Sequence, residues 1–234
     1  MTSQTVVGGS ENLEAMREAE NYNAFLVEQI CRQLDGCRRV VDFGAGNGLF
    51  AGRVRERGFD VRAVEPEPAL NAAINASGIP CLSSLDAVAP MSADGVYSLN
   101  VLEHIDDDEA VLARLFDILV PGGALYLYVP AFQLLYSAMD RRVGHVRRYR
   151  LGELSAKCRR AGFVVEAGAY ADSLGYAASL ALKYFGAADG KLDGGSVRLY
   201  DRLAFPLSRV LDRVCSRFVG KNVWLRARRP RPAS

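Results

Sequence analysis

The feature that most constrains the fold is a regular alternation of short apolar runs and helical segments between residues 38 and 130. The apolar runs lie within 38–46, 59–67, 79–85, 94–105 and 124–130, and the helical segments within 47–58, 68–78 and 107–123. Strands that alternate with helices of about ten residues form parallel βαβ units. Right-handed crossovers then place helices on both faces of one sheet. We therefore predict an α/β, doubly wound fold.

Residues outside this core extend the same pattern. Helical segments are predicted at 11–35, with Ser10 or Asn12 as its cap, and at 151–162, 173–186 and 196–218, the last with a break at Pro206. Residues 187–195 are predicted to form a loop, and 162–170 and 221–229 two further strands. These strands complete a seven-stranded sheet that is mostly parallel with an antiparallel last strand.

Composition excludes several classes of protein. The net charge of +2 lacks the strong basic excess of a protein that coats nucleic acid. Five cysteines with no C-x-x-C pair are typical of free thiols in a reducing compartment. The first residues lack a basic segment followed by an apolar one, so we predict a cytoplasmic chain. Residues 118–139 carry no charge, but Pro121 and its following glycines interrupt them, which favours a buried strand over a membrane span.

The most informative motif is a glycine turn at 44–48, directly after the first strand. Its spacing is G-x-G-x-G, and Leu49 stands where the dinucleotide fingerprint has its third glycine. Glu65 ends the second strand about 20 residues further on, where an acid can accept both hydroxyls of a ribose. A glycine turn and a terminal acid within one βαβ unit together predict a nucleoside-binding site.

Residues 38–130 resemble the class I S-adenosylmethionine-dependent methyltransferases, which share a Rossmann-like fold. The matching segments are VVDFGAGNG, AVEPEP, DGVYSLNVLEHIDDD and LVPGGALYLYVP, in the family's order and spacing. The resemblance implies S-adenosylmethionine as cofactor and S-adenosylhomocysteine as product. It divides a single domain, 1–234, into an N-terminal helical cap (1–37), a cofactor-binding core (38–130) and a substrate-side part (131–234).

The resemblance also implies roles for individual residues. Backbone at Gly44, Ala45 and Gly46 would pack against the methionine part of the cofactor, and Asp42 would contact its ammonium group. Glu65, followed by Pro66, would hold the ribose hydroxyls. Asn100 and Val101 would line the methyl-donor side, and Leu85 would lie in the loop that contacts adenine.

Residues 136–149 match the Y-x-x-x-D-x-x-x-G-H-x-R-R-Y element of one bacterial branch of these methyltransferases. Asn21-Tyr22-Asn23 resembles the same branch, whose members often accompany glycosyltransferases. The resemblance therefore suggests a sugar, a natural product or a lipid-linked glycan as acceptor. We place Tyr22, Tyr136, Asp140, Arg147 and Arg148 on the substrate side.

Methyl transfer to a hydroxyl or an amine usually needs a base. The two histidines, His104 and His145, both lie within motifs, and together with Tyr149 they are the candidate catalytic residues. For His104 the alternative is a structural hydrogen-bonding role. Asp140 and His145 alone are too few ligands for a metal, so we predict none.

Residues 138–160 hold eight Lys and Arg residues against Asp140 and Glu153. Guanidinium groups beside a pocket can bind phosphate or carboxylate, which predicts an anionic acceptor. The alternative is that these cations face water or pair with the acidic run at 103–109. We expect at least one of Arg147 and Arg148 to be structural.

The helices at 173–186 and 197–217 are apolar on one face, as packed helices usually are. The alternative is that these apolar faces form an acyl-chain groove or contact the inner membrane surface, a contact that a basic tail would strengthen. The cations of that tail are Lys221, Arg226, Arg228, Arg229 and Arg231. We expect a small or lipid-linked substrate, no nucleic acid, and a monomer or homodimer.

Three other functions were weighed. A nucleic-acid methyltransferase is disfavoured because Asn100-Val101-Leu102-Glu103 stands where an Asn-Pro-Pro-Tyr motif is expected. A non-catalytic interaction protein is disfavoured by the intact glycine turn and Glu65. An NAD-dependent oxidoreductase is disfavoured by the glycine spacing.

Overall fold

The structure, a computed structural model, describes residues 18–185 and 194–232. Its strands are β1 (Arg39–Phe43), β2 (Asp60–Val64), β3 (Cys81–Leu82), β4 (Ala93–Leu99), β5 (Leu119–Pro130), β6 (Val164–Ala171) and β7 (Asn222–Arg228). Within those residues, they form one seven-stranded sheet in the order β3-β2-β1-β4-β5-β7-β6. β7 is antiparallel to both of its neighbours, and the other pairs are parallel. The predicted fold class is confirmed.

Helices cover both faces of this sheet. They are α1 (Glu20–Gln33), α2 (Leu49–Glu56), α3 (Pro68–Ala76), α4 (Asp108–Ile118), α5 (Ala138–Arg142), α6 (Leu151–Arg160), α7 (Ser173–Phe185), α8 (Gly194–Leu199) and α9 (Phe205–Cys215). One buried cluster joins α4 and α6 to the sheet, and a second joins α1, α2 and α3 to its other face. Apolar side chains from alternate strand positions therefore fill two core layers, as expected when both faces of a sheet are covered.

Most predicted elements are present, with three differences in their bounds. The helix predicted to end at Gly123 ends at Ile118, because Leu119 pairs with Ala93 and the chain enters β5. Gly122 has a φ of +86° in the following irregular stretch, which a helix cannot contain. The break predicted at Pro206 is a π-helical turn over Tyr200–Ala204. Gly194 and Gly195 begin α8 rather than belonging to the predicted loop.

Some predictions fall outside the described residues. These are the caps Ser10 and Asn12, residues 11–17 of the first helix, the last residue of the helix predicted at 173–186, and residues 187–193 of the predicted loop. The strand predicted at 124–130 is present, and it begins earlier than predicted, at Leu119. Among the helices that the structure describes, none combines the length and apolar character needed to cross a bilayer.

The N-terminus of α1 is capped by a residue far along the chain. The Asp201 carboxylate accepts hydrogen bonds from the backbone N–H groups of Asn21 and Tyr22, at 2.9 and 2.8 Å. Asp201 lies in the π-helical turn and is buried. A carboxylate at this position satisfies free N–H donors and interacts favourably with the helix dipole. The C-terminal helices are therefore fastened to the N-terminal one.

Strand order reverses between β1 and β4, and ligands of doubly wound sheets bind at such a switch point. Three segments leave the carboxyl edge of the sheet here. They are the glycine turn after β1, residues 100–104 after β4, and residues 131–149 after β5. The last segment returns to the sheet where Ala131 pairs with Tyr149.

Candidate functional site

The glycine turn is shaped by backbone conformations that favour glycine. Gly44, Gly46 and Gly48 have φ values of +79°, +55° and +77°. A Cβ atom on Gly44 would lie 2.3 Å from Cγ2 of Val101. Real Cβ atoms do not approach carbon so closely, so the turn can press against the end of β4 only as glycine. Gly44 and Val101, both predicted at the cofactor, therefore meet.

Glu65 joins the end of β2 to the glycine turn. Its carboxylate accepts hydrogen bonds from the N–H groups of Gly46, at 2.7 Å, and Glu67, at 3.0 Å. The side chain is buried, and each carboxylate oxygen keeps a further lone pair. Those lone pairs can accept the two hydroxyls of a ribose. The predicted role of Glu65 is compatible with this geometry.

Asp42 lies inside β1, below the turn, and is buried. Its Oδ2 atom has no hydrogen-bond partner within residues 18–185 and 194–232. Burial raises the pKa of Asp42 from 3.8 to about 7; the Tyr97 hydroxyl opposes this shift and Glu65 adds to it. A buried acceptor without a partner is costly unless a ligand satisfies it. The ammonium group of S-adenosylmethionine fits this requirement.

The remaining predicted cofactor residues border the same edge. Asn100 is exposed, with a φ of +54°, and its N–H donates to the carbonyl oxygen of Tyr128 at 2.7 Å. Pro66 is exposed directly after Glu65, and Ala45 is buried within the turn. Leu85 opens a short 3₁₀ helix after β3 and packs into the core. The chain thus presents a continuous rim from β3 to β4.

On the acceptor side, Asp140 binds two of the predicted site residues. Its carboxylate accepts from Nδ1 of His145 at 2.7 Å and from Nε and Nη2 of Arg148 at 2.8 and 3.0 Å. Burial favours a higher pKa for Asp140, but the hydrogen bonds from His145 and Arg148 outweigh it and hold the pKa well below its usual range. Asp140 also completes a capping box with Ser137 at the start of α5. Asp140 therefore positions His145 and is not open to a substrate.

Asp108 forms a second buried cluster with residues of the same motif. It binds the Tyr149 hydroxyl at 2.7 Å, Nη1 of Arg147 at 2.9 Å and Nζ of Lys157 at 2.7 Å. Tyr149 is 0% exposed, and its hydroxyl also donates to the carbonyl oxygen of Leu102. The structure does not bring Tyr149 to a reacting centre.

The expected anion-binding arginines are likewise engaged in the protein. Arg148 is paired with Asp140, and Arg147 with Asp108 and the carbonyl oxygen of Asp106. Both arginines are thus paired with acids of the protein, which accords with the expectation that at least one is structural. The Arg-rich segment therefore no longer supports the prediction of an anionic acceptor.

The two tyrosines predicted on the substrate side, Tyr136 and Tyr22, make different contacts. The Tyr136 hydroxyl donates to the carbonyl oxygen of His145 at 2.6 Å and so holds the histidine loop. Tyr22 packs edge-on against Tyr128 and Phe205, with ring centroids 6.4 and 5.3 Å apart. Both hydroxyls contact the protein in this structure, and Tyr22 lies over the carboxyl end of β5.

The two histidines, proposed separately as candidate bases, meet in the structure, and Glu103 lies beside them. The rings of His104 and His145 are 4.7 Å apart between centroids and nearly perpendicular. The pKa of His104 is lowered to about 4, first because protein packs around its ring and second because His145 lies next to it. Oε1 of Glu103 lies 3.8 Å from Nε2 of His145.

Sequence reasoning treated Glu103 only as part of an acidic run. In the structure its side chain is 0% exposed, and neither carboxylate oxygen has a hydrogen-bond partner among the described residues. Burial raises its pKa to about 8. Its position directly before His104 was the available signal, but adjacency alone does not reveal which of two neighbours is buried.

Comparison with known proteins agrees with the fold. A family model described as a methyltransferase domain matches residues 14–167, more than half of the chain. A solved structure of a SAM-dependent methyltransferase from Archaeoglobus fulgidus superposes with a TM-score of 0.60 at 18% identity, covering 90% of this chain and 94% of that one.

Curated relatives match over shorter segments. An uncharacterized methyltransferase from Mycobacterium tuberculosis is 34% identical over 122 residues, which cover 50% of this chain and 46% of that relative. A ubiquinone biosynthesis O-methyltransferase from Xanthomonas campestris is 29% identical over 99 residues, covering 38% and 41%. The matched segments thus span less than half of each relative's length. With the family match, the fold and the motif residues in agreement, the chain belongs to the methyltransferase-domain family, among the class I S-adenosylmethionine-dependent methyltransferases.

Proposed function

We propose that this chain transfers the methyl group of S-adenosylmethionine to a hydroxyl group of an acceptor held beside His104 and His145. The observation that carries the proposal is the hydrogen bond of 2.7 Å between Asp140 and Nδ1 of His145, in a loop packed on the segment after β4. The N–H of Val146 donates to the carbonyl oxygen of Glu103 and ties the two segments together.

The cofactor supplies an electrophilic methyl group on a sulfonium ion, and the protein aligns it. Glu65 holds the ribose, and the unpartnered oxygen of Asp42 binds the ammonium group directly or through water. The glycine turn lets the backbone approach the methionine part closely. Val101, against Gly44, connects this surface to Glu103 and His104 two and three residues later.

His145 is suited to accept the acceptor's proton. Because the ionised carboxylate of Asp140 accepts from Nδ1, the neutral ring keeps its lone pair on Nε2. Nε2 lies 3.8 Å from Oε1 of the buried Glu103, next to the exposed His104. Loss of the hydroxyl proton makes the acceptor oxygen a better nucleophile, which then attacks the methyl carbon as the carbon–sulfur bond breaks. The name of the Xanthomonas relative, an O-methyltransferase, accords with a hydroxyl acceptor.

The proposal extends to an acceptor presented at a membrane surface, because of one face of the α8–α9 segment. Large apolar side chains, 39% to 75% exposed, recur at helical spacing along it. They are Leu199, Leu203, Leu207, Val210, Leu211, Val214 and Phe218. We call this set the apolar stripe. Contiguous apolar surface of this kind marks a contact with a partner or a membrane.

Charge around the apolar stripe favours an anionic membrane as its partner. Arg202, Arg213 and Arg217 are exposed, and none forms an ion pair with an acid in the described part of the chain. The two acids of the segment, Asp201 and Asp212, point inward and accept from backbone N–H groups. Two copies of this face would bring arginines together without a counter-charge, whereas anionic lipids supply one.

Calorimetry and a transfer assay test the central proposal. The purified chain should bind S-adenosylhomocysteine, Glu65→Ala should weaken that binding, and His145→Ala should abolish methyl transfer to hydroxyl acceptors while S-adenosylhomocysteine still binds. Glu67→Ala is the matched control, because Glu67 contacts Glu65 only through its backbone N–H. Absence of S-adenosylhomocysteine binding, or full transfer by His145→Ala, would refute the proposal.

Vesicle flotation tests the membrane extension separately. We expect the chain to float with phosphatidylcholine vesicles that contain phosphatidylglycerol and not with pure phosphatidylcholine vesicles. The double substitution Leu203→Ser, Val214→Ser should abolish flotation. Val164→Ser, an exposed apolar residue on β6, should leave it unchanged. A dimer in light scattering that this double substitution dissociates, without any flotation, would assign the stripe to a second copy and overturn the extension.

A further inference from the structure

Glu103 is a buried acid whose surroundings leave it unsatisfied. It is fully buried, and both of its oxygens lack hydrogen bonds in the described ranges, although the backbone around it is ordinary 3₁₀ helix. A buried ionised carboxylate without a partner costs several kcal/mol and is normally paired or bound to a metal. A buried carboxyl of this kind either keeps its proton or binds a cation, and the groups around Glu103 decide between the two.

The geometry around Glu103 supplies two further ligand groups. One ligand atom each from Glu103, His104 and His145 lie within 4.8 Å of one another. Ligands of a tetrahedral Zn²⁺ ion lie about 3.4 Å apart, given bonds of about 2.1 Å. Small side-chain rotations close the difference, and Oε1 of Glu103 and Nε2 of His145 are already 3.8 Å apart.

Asp140 provides the outer contact that metal-binding histidines usually have. Its carboxylate accepts from Nδ1 of His145, which fixes the ring and directs the lone pair of Nε2 toward Glu103. Carboxylate–histidine pairs of this kind orient the ring and raise its basicity toward a metal. Asp140 and His145 alone are too few ligands for a metal, but Asp140 lies in the outer contact, and Glu103 and His104 join His145 as ligand groups.

We propose that Glu103, His104 and His145 bind one divalent transition-metal ion, with Zn²⁺ as the preferred ion. Two imidazoles and one carboxylate are a ligand set of catalytic zinc sites, which keep a fourth position open. The side chain of His104 is exposed, so the open coordination position would face the solvent, where the acceptor can enter. Softer metals are disfavoured because no cysteine belongs to the cluster.

The role of the metal rests on the proposed function. A hydroxyl oxygen of the acceptor would occupy the open position, and coordination would lower the pKa of that hydroxyl. Its proton leaves to water, the oxygen forms a bond with the methyl carbon, and the carbon–sulfur bond breaks with its electron pair remaining on sulfur. When the ion is bound, Nε2 of His145 is a ligand and the ion takes over the activation assigned to the imidazole.

Metal binding can be measured without any acceptor. The full chain, freed of affinity tag and dialysed against chelator, is titrated with ZnCl₂ in a calorimeter, and its bound zinc is counted by mass spectrometry. We expect one equivalent. Glu103→Gln and His104→Asn each remove a direct ligand, so each should lower the affinity by more than the roughly 10- to 100-fold loss typical of an outer contact. Co²⁺ should give the intense visible absorption of a tetrahedral site in the wild type alone.

Glu109→Gln is the matched control, because Glu109 is an exposed acid on α4 paired only with Arg160. It should bind zinc like the wild type. Substoichiometric zinc in the wild type, or equal zinc binding in Glu103→Gln and His104→Asn, would overturn the site. Methyl transfer that is unchanged by chelation would overturn its catalytic role. Binding of S-adenosylhomocysteine in the same samples separates these failures from a failure of the proposed function.

Discussion

The two sides of the cleft differ in how their charged side chains are used. On the glycine-turn side, Asp42 keeps an oxygen without a partner, and Glu65 binds only backbone N–H groups. On the side of residues 136–149, the acids Asp140 and Asp108 are surrounded by cations and hydroxyls of the protein. One side retains polar groups for a ligand, whereas the other uses nearly all of them internally.

This difference explains why the glycine turn indicates a ligand-binding surface, whereas the equally recognisable Arg-rich element does not. The glycine turn is a surface shaped for close approach by a ligand, and Asp42 below it keeps one oxygen without a partner among the described residues. The Arg-rich element is mainly a clamp that holds the loop after β5 against the segment after β4. In that loop the proposed function uses Nε2 of His145, whose other ring nitrogen is held by Asp140. The substitutions below test this division.

The largest effect is expected from Asp140→Asn. Breaking a buried ion pair by removing one partner destabilises a protein by about 3–5 kcal/mol. Arg148 and His145 would both lose their carboxylate, while the cofactor side stays intact. Urea unfolding should show this loss, and Glu109→Gln, in an exposed ion pair, should show none. A stable Asp140→Asn chain would mean that the Arg-rich element is not a clamp.

Gly44→Ala tests the opposite side. Its Cβ atom would overlap Val101, and a non-glycine residue at a φ of +79° adds about 1–2 kcal/mol of strain. Displacing the turn should weaken S-adenosylhomocysteine binding by about 100-fold, equivalent to about 2.8 kcal/mol. Gly52→Ala, in α2 with open space around it, serves as the control. Calorimetry that finds wild-type affinity in Gly44→Ala would remove the turn from the ligand surface.

Asp42→Asn should weaken binding of S-adenosylhomocysteine by about tenfold, the loss expected for one charge-assisted hydrogen bond. It should also alter how stability depends on pH. The folded pKa of Asp42 is raised from 3.8 to about 7, so the folded chain binds this proton more tightly than the unfolded chain. Asp42 should therefore lower the ligand-free stability as pH rises from about 4 to about 7, and Asp42→Asn should lack this contribution.

Thermal unfolding of both chains at pH 5 and pH 8 measures this difference, since their other titrating groups are the same. We expect Asp42→Asn to be the more stable of the two at pH 8. If the gap between the chains is identical at both pH values, Asp42 does not bind a proton in the way its burial implies.

The smallest effect is expected from Tyr149→Phe. It removes one hydroxyl from Asp108, which keeps Lys157 and Arg147, so stability should fall by about 1 kcal/mol. Turnover should not change, because Tyr149 is buried away from the rim. A loss of kcat with stability intact would restore the catalytic role that the sequence predicted for it.

The cofactor side could be predicted because its determinants are local. Glycines with positive φ follow a strand, an acid ends the next strand, and parallel strands bring both to one edge. Even there, the precise cause of the glycine requirement, contact of Gly44 with Val101, joins residues from two different strands. The sequence predicted where the surface lies but not the packing that shapes it.

The acceptor side could not be predicted in the same way, because the role of each charged or polar side chain there depends on partners far away in the sequence. Arg147 meets Asp108 from α4, and Tyr149 meets both Asp108 and Leu102. A side chain free to bind a substrate and one paired in the fold have the same sequence signature. Glu103 and His104 are adjacent, yet one is fully buried and the other exposed.

The position of β7 between β5 and β6 has a consequence for synthesis on the ribosome. The facing edges of β5 and β6 cannot form their hydrogen bonds until residues 222–228 have left the exit tunnel. Until then β5 presents an unpaired edge, which is a template for aggregation. The Asp201 cap must wait in the same way, so α1, made first, completes its end contacts only after residue 201 emerges. A chain shortened before β7 would be left with both edges open, even with its cofactor-binding motifs complete.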